Sequence, residues 1–74
     1  MYYIHELKRK EVNNMTNLER IRREAGLTMV KLSEISGVSY PTIVKIEAGR
    51  IADVTVKTII RLSAALGCDP RDIF

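Results

Sequence analysis

Cysteines, histidines and long apolar runs are scarce or missing in this sequence, and each shortage excludes a class of protein. The lone cysteine, Cys68, has no partner for an internal disulfide. With His5 as the only histidine, no plausible metal set can be assembled around it. The four glycines are scattered at positions 26, 37, 49 and 67, so no glycine-rich loop can cradle a phosphate. No nucleophile stands beside a base, and nothing in the chain points to catalysis or to a bound cofactor. No apolar stretch is long enough to span a bilayer. The opening residues MYYIHELKRK lack the apolar core and small-residue cleavage site of a secretory signal, so the expected location is the cytoplasm.

What is present is the composition of a small globular domain. The chain has 74 residues, 46% of them hydrophobic and 28% charged. A domain of that size buries only roughly 60% of the surface its unfolded chain exposes, so its stability is modest unless a second subunit contributes. The net charge of +3 suits a polyanionic partner, but the placement of the charges matters more than their sum.

The chain is organised around Thr28 to Gly49, which reads as two short helices joined by a tight turn. Thr28 caps the first, Met29 to Ser36, whose apolar residues Leu32 and Ile35 are three apart. Gly37 supplies a left-handed residue to end it, Val38 plugs the corner, and Ser39 caps the second helix. Upstream, Thr16 and Glu19 have the spacing of a capping box opening a helix that Gly26 ends. Leu18, Ile21 and Ala25 are expected on its core side, with Glu19–Arg23 and Arg20–Glu24 as outer pairs.

A period of about 100° per residue sets the phase of the helix after the turn. Ile43, Ile46 and Glu47 point inward, and Tyr40, Pro41, Val44, Lys45 and Ala48 share the outward face. Arg22 flanks the buried stripe of the first helix as Glu47 flanks that of the third, which predicts an ion pair between them. A fourth helix, Val56 to Leu66, is capped by Thr55 and closed by Gly67. Val56, Ile59, Ile60, Ser63 and Leu66 form its expected inner stripe, with Leu62 beside it. Lys57 and Arg61 read as a solvated basic pair. Asp69 and Pro70 start a last short helix, after which Phe74 either folds into the core or stays free for a partner subunit.

The turn Ser36-Gly37-Val38-Ser39, the string Thr42-Ile43-Val44-Lys45-Ile46-Glu47-Ala48-Gly49 and Leu66-Gly67 together resemble the helix-turn-helix of the phage repressor and Cro type, the Xre-like family, from about Leu18 to Phe74. The resemblance implies an all-α, lambda-repressor-like bundle of about five short helices over residues 15–74, preceded by an N-terminal arm over residues 1–14. It also implies the Arg22–Glu47 pair, and it places an alanine where this chain has Ser33. A serine there is expected to hydrogen-bond within its own helix. The phosphate-gripping glutamine common after the capping threonine is replaced by Met29.

By this resemblance the DNA-contacting residues are Thr28, Met29 and Lys31 at the start of the second helix, Ser39, Tyr40, Pro41, Thr42, Val44 and Lys45 in the third, and Arg50 beyond it. Tyr40 can bond a base or phosphate, Val44 can pack on a thymine methyl, and Lys45 can donate to guanine or a phosphate. The arm carries Lys8-Arg9-Lys10, which suits either DNA phosphates or simple solvation between Glu6 and Glu11. The expected function is sequence-specific, repressor-type regulation by a homodimer on a palindromic operator of double-stranded DNA, with half-sites about 34 Å apart. The alternative is an antitoxin or other protein-interaction module with a small protein partner.

Overall fold

The computed structural model describes residues 15–74. The arm, with its basic triad Lys8-Arg9-Lys10, lies outside the described residues. Among those described, four α-helices and two 3-10 turns follow in order, with no strand: α1 (Asn17–Glu24), α2 (Met29–Ser36), α3 (Tyr40–Glu47), a turn at Ile51–Asp53, α4 (Val56–Leu66) and a turn at Pro70–Asp72. The fifth helix expected from the sequence is thus a single 3-10 turn.

Local chemistry fixes most helix ends. The hydroxyls of Thr16, Thr28 and Thr55 each accept a hydrogen bond from the backbone N–H three residues on, satisfying one of the free amides of a first turn. The box at Thr16 is half made. Glu19 turns its carboxylate to Arg23 at 2.8 Å, and does not return it to the Thr16 amide. Asp69 and Asp72 make a complete reciprocal box, with Asp69 N–H donating to Asp72 Oδ2 at 3.1 Å.

Eight of the described residues form the core: Leu18 from α1, Leu32 from α2, Val38 from the following turn, Ile43 and Ile46 from α3, Ile59 and Leu62 from α4, and Ile73. Every helix contributes, which is how a short chain closes one core. Ser63 is buried among them and donates to the Ile60 carbonyl at 2.8 Å, within its own helix. Asn17 Nδ2 donates to the Phe74 carbonyl at 2.6 Å, tying the start of α1 to the end of the chain. The Phe74 ring stays exposed and does not fold into the core.

Several apolar residues expected inside lie outside. Ala25 follows the last residue of α1 and is solvent-facing. Ile35 is exposed because Leu32, Ser33 and Ser36 set the inward side of α2, and Ile35 lies about 105° from its middle. Val56 and Ile60 are exposed for a similar reason. The inward line of α4 runs through Ile59, Leu62, Ser63 and Leu66. Ile60 is about 100° away from Ile59, and Val56 projects from the first turn.

Candidate nucleic-acid interface

The site is built from α2, its turn and α3. Thr28 Oγ1 accepts from Lys31 N–H at 3.0 Å and starts α2. Gly37, with φ at 74°, ends it in the left-handed conformation, and its N–H bonds the Ser33 carbonyl at 3.0 Å. Val38 is then driven into the core, and α2 holds both of its backbone polar groups. Its N–H donates to Ser36 Oγ at 3.1 Å, and its carbonyl accepts from Ser33 Oγ at 2.6 Å. Ser33 therefore bonds across the turn, not within its own helix as the sequence suggested. The serine-glycine pair at the helix end was the available signal for the role of Ser36.

Ser39 occupies the capping position of α3 but makes no side-chain cap bond. Its hydroxyl pairs with that of Thr42 at 2.8 Å, so the expected cap is replaced by a side-chain bond one turn on. Pro41 fits within the first turn, where its missing N–H costs nothing.

The rotation of α3 is fixed from both sides of its inner face. Ile43 and Ile46 are buried in the core. Glu47 is gripped by Arg22 of α1, Nε to Oε2 at 2.6 Å and Nη2 to Oε1 at 3.0 Å. Only 9% of the Arg22 side chain and 8% of that of Glu47 are exposed. Opposite this anchored edge, Tyr40, Pro41, Val44, Lys45 and Ala48 face solvent, with Tyr40 44% and Val44 39% exposed. Met29, expected as a contact residue, is half-buried against the core. Thr42 is likewise half-buried.

The charges around this face divide into paired and unpaired. Lys31 Nζ lies 3.7 Å from Glu34, an acidic neighbour that the expected DNA-contacting residues did not include. Arg20, Arg22, Arg23 and Arg71 also have carboxylate partners. Lys45, Arg50, Lys57 and Arg61 have none among the described residues. Lys45 and Arg50 are close in the backbone as well, since Arg50 N–H bonds the Lys45 carbonyl at 3.0 Å. The end of α3 thus carries two cations that no carboxylate among the described residues neutralises. Lys31, at the start of α2, has its charge partly countered.

A comparison with models of known families matches residues 18–73 to the one described as helix-turn-helix. The chain belongs to this family, in its Xre and lambda-repressor-like group. No curated protein and no solved structure matches it significantly. The matched segment runs from the first core residue of α1 to the last, Ile73, so the whole core described above is the family's domain. DNA binding and regulation of transcription come with this family, which is generally non-enzymatic. Among the described residues no group of histidine, cysteine, aspartate or glutamate side chains can hold a metal ion, and no helix is long and apolar enough to cross a membrane.

Proposed function

We propose that the protein is a sequence-specific repressor that inserts α3 into the major groove of an operator. The observation that carries this reading is the exposed face of Tyr40, Val44 and Lys45, held outward by the burial of Ile43 and Ile46 and by the grip of Arg22 on Glu47. A helix presented in this way is the reading element of a helix-turn-helix, and its N-terminal residues meet base edges. Thr28 and Lys31 at the start of α2 and Arg50 after α3 serve as phosphate contacts. Ser39, Pro41 and Thr42 shape the first turn of α3 against the groove.

A single α3 of eight residues offers few base contacts, too few for tight specific binding at physiological salt. The protein therefore acts as a homodimer on a palindromic site, each subunit reading one half-site. Selection of bound duplexes from a random pool tests this directly. An enriched sequence with two symmetric half-sites about one helical turn apart is expected. No enrichment, or an affinity indifferent to salt, overturns the reading.

A second reading is a protein-interaction module such as an antitoxin, and a distinct observation favours it. Val56 and Ile60, one turn apart on α4, are exposed, as is Phe74, and none of them belongs to the α3 face. Exposed apolar side chains of this kind anchor partner contacts. Co-purification of a stoichiometric small protein, lost on replacing Val56 and Ile60 by polar residues, supports it.

A further inference from the structure

The outward face of α3 is chemically one-sided in a way that DNA affinity alone does not require. Helix α3 contains no asparagine, glutamine or arginine, the planar forks that pair with adenine or guanine edges, and Lys45 is its one side chain able to pair with guanine. The two hydroxyls at its start, those of Ser39 and Thr42, are engaged with one another at 2.8 Å. The solvent-facing set is Tyr40, Pro41, Val44, Lys45 and Ala48. Its polar groups are one phenol and one ammonium, of which only the ammonium of Lys45 can make a paired contact, and that to guanine alone.

Resting on the DNA-binding reading above, we propose that this face discriminates bases mainly through the C5-methyl groups of thymine, with Val44 and the ring of Tyr40 as the apolar strip that receives them. The thymine methyl is the apolar group that base edges offer in the major groove. Tyr40 and Val44 are four residues apart, about 6 Å along the helix axis, which is close to two base-pair steps. Two methyls at that spacing can be covered at once. Cytosine in place of thymine puts a hydrogen at C5 where the methyl stood, and its N4 amino group replaces the O4 acceptor, so Val44 loses its apolar contact. Thymine is thus favoured over cytosine by the apolar packing of its methyl group. Lys45 adds an ammonium for a guanine or a phosphate and does not by itself set the sequence.

Deoxyuridine scanning tests the proposal, because it removes the methyl and keeps every hydrogen-bonding group. The full chain is used to select an operator from a random duplex pool. Each thymine of that operator is then replaced symmetrically by deoxyuridine and the affinity measured. One or two positions per half-site should weaken binding by about fourfold per methyl, the equivalent of one methylene transferred from water, and so by about 16-fold for the two methyls that a symmetric replacement removes. The Val44→Ala variant should lose that sensitivity at one of these positions, retain it at the other, and keep the salt dependence of the parent. An operator that is enriched but tolerates every deoxyuridine replacement within about 1.5-fold, well inside the fourfold expected per methyl, overturns this inference and leaves the DNA-binding reading intact. Failure to enrich any sequence overturns both.

Discussion

Arg22 commits all three of its guanidinium nitrogens to two targets: Nε and Nη2 hold the carboxylate of Glu47, and Nη1 donates to the Leu27 carbonyl at 2.8 Å. One side chain of α1 therefore fixes the rotation of α3 and the loop that leads into α2. The guanidinium is held above its already high ordinary range, first by the Glu47 hydrogen bond, with burial pulling the other way. A raised value means that the cationic side of the pair is fully formed at every pH below the ordinary guanidinium range.

Breaking this pair should be costly and removing it whole should not be. Arg22→Ala or Glu47→Ala alone strands the other charge in a nearly dry setting and is expected to lower stability by about 3–5 kcal/mol. The double replacement Arg22→Met with Glu47→Leu restores much of that loss, since well-packed apolar residues often match a buried ion pair. Denaturant unfolding of the four proteins of the cycle gives the coupling, and a coupling near zero contradicts the account. The apolar double variant is also expected to bind DNA less selectively, because packing alone fixes the rotation of α3 less sharply.

The corner at Val38 makes a second, smaller prediction. Ser33→Ala leaves the half-buried turn without the donor to the Val38 carbonyl, and Ser36→Ala removes the acceptor of its N–H, each at a cost of about 1 kcal/mol. Loss of that size lowers the melting temperature of so small a domain by roughly 4–8 °C. At Gly37 a Cβ would meet nothing within 4 Å. The cost of Gly37→Ala is then purely that of the left-handed backbone, about 1–2 kcal/mol. Melting by circular dichroism checks all three.

The caps and closures of the fold were legible because they are local. Threonines before amphipathic stretches and glycines after them specify helix ends without reference to the rest of the chain, as at Thr28, Gly37, Thr55 and Gly67. The phase of α3 was legible too, since Ile43 and Ile46 leave one outward face. What the sequence could not show depends on neighbours. The stripes of α2 and α4 are wider than the surface available to bury them, and only the packed structure decides that Ile35, Val56 and Ile60 are left out. The choice of the Ser33 hydroxyl between its own helix and Val38 likewise depends on where the turn folds. At the site, the nearness of Lys31 to Glu34 is a matter of side-chain placement that the sequence left unread. The contacts of Tyr40 and Val44 belong to a partner that the chain does not contain.

Cys68 supplies the pH prediction. Its thiol is pushed above the ordinary range by burial first, then by the negative charges of Asp72 and Asp69. A thiol with a raised folded value binds its proton more tightly when folded than when unfolded. The stability this contributes is present below the ordinary thiol pKa and is lost as pH rises from there through the folded value. Unfolding should therefore become easier above about pH 8.5, and Cys68→Ala should remove that part of the alkaline loss. A thiol-reactive probe should label the native protein more slowly at neutral pH than it labels the unfolded chain, because less thiolate is present.

The cations flanking the proposed DNA surface should differ in their salt signature. Arg50 has no carboxylate partner among the described residues, so its attraction for a phosphate is opposed only by loss of hydration. Lys31 must first leave Glu34, an exposed partner at 3.7 Å worth at most a few tenths of a kcal/mol. The acid also repels an approaching phosphate at a range that salt screens. Arg50→Ala is expected to reduce the slope of log affinity against log salt by about 0.9 per subunit bound, with a smaller change for Lys31→Ala. Glu34→Gln should act in the opposite direction, tightening binding at low salt by freeing Lys31 and removing a repulsion, with the improvement vanishing as salt is raised. Titrations of the three variants on one operator at several salt concentrations decide the matter. A Glu34→Gln protein that binds no better than the parent at low salt would place the start of α2 away from the phosphate backbone.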